Sequence, residues 1–291
     1  MELLLQLIVT TLQISAVYIL FSLGLTLIFG VMQIVNFAHG HYFAISALIT
    51  VYFMPWLVAA GFPAAGAYIL SGAFGVLVAA LLGLATYYFG FRYFQRDMVG
   101  SFILSVGFVL LFDGLFLELF GGAARSVPSL VEGTVSAFGV YITGQRLLLC
   151  AAAVSTAFIL YLILMKTKLG LALRAVSIDQ EAAMLQGIPY NKIALAGFML
   201  AAVLAGIAGA LIAPVSIVTP AIGADYIVKG FIAVIIGGLG SIPGAIVGAL
   251  FVAVIEAFGG YYYGASTATV ATFFLVIVFL LFRPKGLFGN G

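Results

Sequence analysis

The sequence predicts an all-α, polytopic transmembrane bundle of about eight helices, with seven to nine allowed by the lengths of its apolar runs. Of the 291 residues, 65% are hydrophobic and 7% charged, and the mean hydropathy is +1.31. That leaves too little polar surface to cover a soluble globule. Apolar runs such as Leu147 to Met165 and Thr267 to Phe282 approach the roughly 20 residues a helix needs to cross about 30 Å of hydrocarbon. They are continuously apolar instead of alternating with period two, which excludes a transmembrane barrel.

Hydrophobic segments fall near 3–30, 41–60, 66–91, 100–120, 146–165, 193–218, 227–239, 243–262 and 266–282. The first has no basic stretch before it and outruns the apolar core of a cleavable signal, so it reads as a retained helix. The seventh is too short to span unaided. All nine belong to one transmembrane domain, 1–291. Basic residues flank three connections: Arg92 and Arg96; Lys166, Lys168, Arg174 and Lys192; Arg283 and Lys285. The positive-inside rule places all three in the cytoplasm. Counting back from Arg92 puts the N-terminus outside, together with the segment from Gly121 to Gln145 that holds Arg125 and Glu132. An even number of crossings is then required between Lys192 and Arg283, so the seventh segment crosses as a half-length helix or is re-entrant.

The run from Lys166 to Lys192, KTKLGLALRAVSIDQEAAMLQGIPYNK, is a polar island holding four of the 11 basic and two of the nine acidic residues. Ser177 is suited to cap a short helix with Asp179 and Glu181 near its positive end, and Gly187 with Pro189 to end it. About ten residues of helix do not hold alone in water, so a partner surface or the membrane must support it. A solvated linker, basic only for topology, is the other reading, and the residues alone favour neither.

Glycine organises the interior: 35 are present, many near spacing four, as in Gly197, Gly206 and Gly209 or Gly240, Gly244 and Gly248. In lipid, small residues at helical spacing let backbones approach closely. Two glycine segments also carry polar or helix-breaking residues, GVMQIVNFAHGH (Gly30 to His41) and GGLGSIPGAIVG (Gly237 to Gly248). Both predict a broken or re-entrant helix. Asn36 and Gly40 overlay on Gly240 and Gly244, and paired interruptions in corresponding halves point to a translocation pathway. The pathway candidates are therefore Asn36, His39, Gly40, Gly240, Ser241 and Gly244, joined by Asp113, an ionisable residue deep in the fourth segment.

Glu118, five positions on from Asp113, lies about 140° around a helix from it, so the two do not form an acid pair. Glu256 is within reach of pairing with Lys229. His39 and His41 flank Gly40 with no third ligand nearby, so a metal site is not expected. The single cysteine, Cys150, sits in an apolar run and reads as a small buried hydrophobe. A net charge of +2 gives no footprint for nucleic acid.

These residues carry a resemblance. GLTLIFGVMQIVNFAHGHYF (Gly24 to Phe43), RSVPSL (Arg125 to Leu130), GLALRAVSIDQEAAMLQGI (Gly170 to Ile188), GGLGSIPGAIVGALFVAVIEA (Gly237 to Ala257) and RPKGLFG (Arg283 to Gly289) resemble a branched-chain amino acid ABC importer permease. The likeness is to the first membrane subunit of the high-affinity leucine, isoleucine and valine type, over nearly the whole chain. It implies a multi-pass protein of a bacterial-type inner membrane that works with a second related permease, two ATPase chains and a soluble external binding protein. It also implies that the island is a coupling helix docking on an ATPase, with Arg174, Asp179, Glu181, Ala182, Ala183 and Gly187 at the contact. The chain has no GxxxxGK[ST] loop, so ATP and Mg belong to partner chains and no enzyme activity is expected here. Related permeases carry urea, amides or other amino acids. A channel or secondary transporter working through Asp113, Lys229 or Glu256 is the rival class, and a membrane enzyme, lacking any nucleophile-and-base pair, ranks lowest.

Overall fold

A computed structural model describes residues 2–131, 133–137 and 139–289. Among the described residues are eleven α-helices, α1 (Glu2–Met32), α2 (His39–Ala59), α3 (Ala64–Phe89), α4 (Met98–Phe120), α5 (Gly144–Lys166), α6 (Lys168–Ile178), α7 (Gln180–Leu185), α8 (Tyr190–Ile212), α9 (Ile222–Gly237), α10 (Ile242–Tyr263) and α11 (Ala265–Phe282). Between α4 and α5 lies one antiparallel hairpin, β1 (Thr134–Ala137) and β2 (Val140–Thr143), with Thr134 opposite Thr143. Eight of the helices, all but α6, α7 and α9, are long and apolar enough to cross a bilayer. The chain is thus an all-α, multi-pass membrane protein.

The helices are apolar all round, as lipid-embedded helices are, so burial is decided by which neighbour each stripe finds. α1 is the central post, packed against α8, α10, α5 and α9, while α2 packs on α3, α8 and α9. The outer helices bury a single stripe each: Ala268, Thr272 and Val276 in α11, and Ser101, Ser105, Phe112 and Phe116 in α4. Those residues recur at four-residue spacing or its near multiples, one or two per pair of turns. The opposite faces expose Leu110 and Leu111 of α4 and Phe274, Ile277 and Leu281 of α11. Such faces are at home against hydrocarbon.

Close backbone approach is the job of the glycines. A Cβ on Gly248 would collide with the carbonyl of Ala233, and one on Gly237 with that of Gly244, so α9 and α10 pack nearly backbone to backbone. A Cβ on Gly209 would likewise strike the carbonyl of Phe43, locking α8 to α2.

Several boundaries differ from those the sequence suggests. The sixth apolar run ends its helix at Ile212, because Pro214 follows and the chain turns there, with Val215 N–H donating to Ile212 O at 2.9 Å. Val218 instead exchanges backbone hydrogen bonds with Arg125 at 2.8 and 3.0 Å. The helix of the seventh apolar run, α9, starts at Ile222, earlier than that run, since Gly223 packs against Gly40. The hairpin at 134–143 is unpredicted; Gln6 holds it to α1 by accepting from Tyr141 N at 2.9 Å and donating to Tyr141 O at 3.1 Å. Glu132, which the sequence groups with Arg125, lies outside the described residues.

Candidate functional site

Two breaks in the helices meet at one end of the bundle, the end that carries the island and the basic connections. α1 stops at Met32, residues 33–38 are non-helical, and α2 starts at His39; α9 stops at Gly237 and α10 starts at Ile242. Gly30 lies against Gly240, with its Cβ position 3.5 Å from the Gly240 Cα, and Asn36 and Leu239 line one small cleft with Leu25, Ile28 and Phe231. The structure therefore brings Asn36 and Gly240 to the same seam.

The breaks are not alike in depth. Ile34, Asn36 and Ala38 are fully buried, and the freed backbone is satisfied by protein: Ser101 Oγ accepts from Val35 N at 3.2 Å and Met32 O accepts from Arg96 N at 3.1 Å. The 238–241 connection is a partly exposed turn braced by the C-terminal tail, where Leu287 N and Phe288 N donate to Ile236 O and Gly237 O at 2.8 and 3.0 Å. Ser241 Oγ accepts from Gly244 N at 3.2 Å and so caps α10, while Gly244 is filled by its contact with Gly237.

Around the buried break sit polar atoms that find no protein partner among the described residues, Asn36 Oδ1, Ser22 Oγ and Thr26 Oγ1, while the His39 ring reaches no polar group but the backbone of Phe21. Asn36 Nδ2 makes a long 3.5 Å bond to Tyr42 OH. An unmade hydrogen bond on a buried group costs about 1–3 kcal/mol, so this concentration is not what packing alone would select. His39 packs edge-on to Phe21 at 4.8 Å between ring centroids and fills the space left by Gly24. Gly40 is pressed on Gly223, with no room for a Cβ.

Asp113 is not part of this seam. It lies on the exposed side of α4 and meets His41 Nε2 at 2.9 Å, and His41 points away from the α1 side that His39 faces. Its carboxylate is 49% exposed. Glu118 is exposed near the far end of the same helix. Glu256 does pair with Lys229, Nζ to Oε1 at 2.5 Å, and additionally accepts from Tyr18 OH. Cys150 is partly buried against the core.

The island is helical but differs from the expected single helix. Thr167 Oγ1 accepts from Gly170 N at 3.1 Å and starts α6; Ser177 lies within α6 and donates to Arg174 O at 2.8 Å. Ser177 is therefore not the cap. Asp179 is, accepting from Ala182 N at 3.0 Å to start the six-residue α7. Gly187, at φ +82°, ends α7 as expected, with its N–H on Met184 O and Ile188 N–H on Ala183 O. Ala183 is buried against α8, Ala182 is exposed, and the side chain of Glu181 is 79% exposed with Arg96 Nη1 at 3.7 Å. Arg174 is half-buried.

Sequence reasoning missed the apolar side of this hairpin. Ile178 and Leu185 are each 85% exposed, flanking α7, with Met184 beside them. Their signal was present as apolar residues inside a polar segment, but only the bend at Asp179 turns them outward together. Tyr18, which completes the Glu256 cluster from 238 residues away, had no local signal.

The chain matches the family described as "Branched-chain amino acid transport system / permease component" over residues 7–282. It is 29% identical to the high-affinity branched-chain amino acid transport system permease protein BraD of Pseudomonas aeruginosa, over 98% of this chain and 96% of that protein. Identity is 26% to LivH of Escherichia coli K12, a permease protein of the same description, covering 95% of this chain and 92% of LivH. It is 27% to the probable LivH of Methanocaldococcus jannaschii, covering 94% and 89% respectively. No solved structure matches the chain significantly.

Proposed function

From the premise that this chain belongs to the branched-chain amino acid permease family, we propose that it is the membrane-spanning subunit of an ATP-driven importer for branched-chain amino acids. In this reading the basic end faces the cytoplasm of a bacterial-type cell, the N-terminus and the β1–β2 hairpin face outside, and an external binding protein delivers the solute. A second permease of the same family completes the pathway, and two ATPase chains hydrolyse MgATP.

The observation that carries the reading is the α6–α7 hairpin. It sets Ile178, Met184 and Leu185 in the open at the basic end, where each exposed Leu or Ile forgoes about 1.5–3 kcal/mol of burial. A basic end facing water gives no reason for that arrangement, whereas an ATPase groove that receives α7 does. Asp179 at its N-cap and Gly187 at its end make α7 a rigid knob, and α6 and α8 tie it to the bundle. Movement of the ATPases is thereby passed to α8, which packs on both α1 and α2 beside the buried break. The seam around Asn36 and His39, polar and under-satisfied, is the part of the pathway that exchanges partners when the bundle rearranges. Arg174, half-buried on α6, belongs to the surface that meets the ATPase.

Leu185→Glu tests this reading. Purification of the permease should recover its ATPase chains from the wild type and lose most of them from the variant, while the variant is inserted in normal amount. Full retention of the ATPases in Leu185→Glu and Ile178→Glu alike would contradict docking through α7.

A further inference from the structure

One charged cluster within the bundle is unused by the reading above. Lys229 of α9 and Glu256 of α10 meet at 2.5 Å, with side chains only 23% and 28% exposed. Glu256 is seven residues from the end of α10 at Tyr263, about 10 Å inside its outer end at 1.5 Å per residue. Asp225 stands one turn before Lys229 on the same helix. A paired charge of this kind is a poor stabiliser, since apolar replacements of similar volume are commonly as stable or more so, and ionisable residues at membrane depth mark ligand or ion sites.

Two clefts reach Glu256, and one of them also reaches Lys229. One, of about 300 Å³, lies between α9, α10 and α11; Asp225, Lys229 and Glu256 form its polar side, and Val228, Val252 and Phe273 its apolar side. The other, of about 200 Å³, begins at Thr10, Gln13 and Arg146, on the end opposite the island, and ends at Tyr18, Tyr226 and Glu256. Glu256 is the residue common to both. The first cleft is at the lower end of the size range of small-ligand pockets and has their mix of apolar wall and few convergent polar groups.

We propose that Lys229 and Glu256 form a binding site for the head group of a zwitterionic amino acid on its way in from the outer cleft. The two protein charges oppose the two ligand charges: the Glu256 carboxylate accepts from the ligand's ammonium and Lys229 Nζ donates to its carboxylate. Each exchanges one ion pair for another, so the protein charges are never left bare. Asp225 supplies a second acceptor for the ammonium, and a branched aliphatic side chain lies on Val228, Val252 and Phe273. The site rests on the import reading above and adds to it a place where charge complementarity favours zwitterions over neutral solutes.

The test uses the assembled transporter in proteoliposomes, with Cys150→Ser and Thr269→Cys placing one thiol on the rim of the 300 Å³ cleft. Thr269 is exposed and bonds only Ala265 O, so the substitution is mild. A cationic, water-soluble methanethiosulfonate should label this thiol, and leucine should slow the labelling severalfold where 4-methylpentanoate, which lacks the ammonium, does not. Absence of labelling would show a lipid-filled cleft and overturn the site, as would equal rates with and without leucine. Separately, Lys229→Met/Glu256→Gln should cut leucine uptake by about tenfold or more, the scale of losing charge-assisted contacts, with the amount of assembled complex unchanged. Wild-type uptake in that double variant would reduce the pair to a structural one. Failure of the wild-type transporter to take up leucine with ATP would instead reject the import reading itself.

Discussion

At Gly248, the loss of a single side chain decides whether two helices can touch. Its Cβ position is already occupied by the Ala233 carbonyl, so Gly248→Leu must push α9 off α10 and is expected to cost about 1–3 kcal/mol through overpacking. Thermal unfolding in detergent should show a lower midpoint; an unchanged midpoint would contradict the close approach. That glycine was legible from its spacing to Gly240 and Gly244, because helical spacing of small residues has one physical use in lipid. The capping residue of the island was not. Ser177 and Asp179 are both competent caps two positions apart, and the choice rests on α6 starting at Thr167 and running through Ser177, which no local pattern states. Partners such as His41 with Asp113 or Tyr18 with Glu256 lie 72 and 238 residues apart and are likewise invisible to spacing arguments.

Among the elements, the long helices were readable nearly to their ends, since an apolar run of membrane length leaves little freedom. Exceptions arise where a neighbour or a proline intervenes: Pro214 stops α8, and contact with Gly40 draws Gly223 and Asp225 into α9. The β1–β2 hairpin depends on Gln6 bonding the backbone of Tyr141 and had no alternating run to announce it. The short α7 depends most on its ends. Asp179→Ala removes the N-cap and should cost about 1 kcal/mol of α7 stability, and Gly187→Val places a β-branched residue at φ +82°, where left-handed backbone costs roughly 1–2 kcal/mol or more. Both variants should hydrolyse ATP with fewer leucine molecules imported per ATP than the wild type. Unaltered coupling ratios in both would remove α7 from the transmission of force.

For the whole molecule, polarity is distributed by end and depth. The basic end carries the island and both helix breaks, the opposite end carries the hairpin and the rim at Arg146, and the interior between them is mostly apolar, its polar groups including the Asn36–His39 seam, the His41–Asp113 contact and the Lys229–Glu256 pair. An almost apolar interior suits a carrier that must release what it admits, and in the proposed importer it leaves selectivity to an external binding protein and to a few charges. The central claim is that this chain moves branched-chain amino acids only when partner chains hydrolyse ATP. It is tested most directly by uptake of radiolabelled leucine into proteoliposomes holding the chain with its partner permease and ATPases, with and without ATP on the ATPase side and the binding protein outside. The account predicts uptake that requires both. Uptake by this chain alone, independent of ATP, would contradict it.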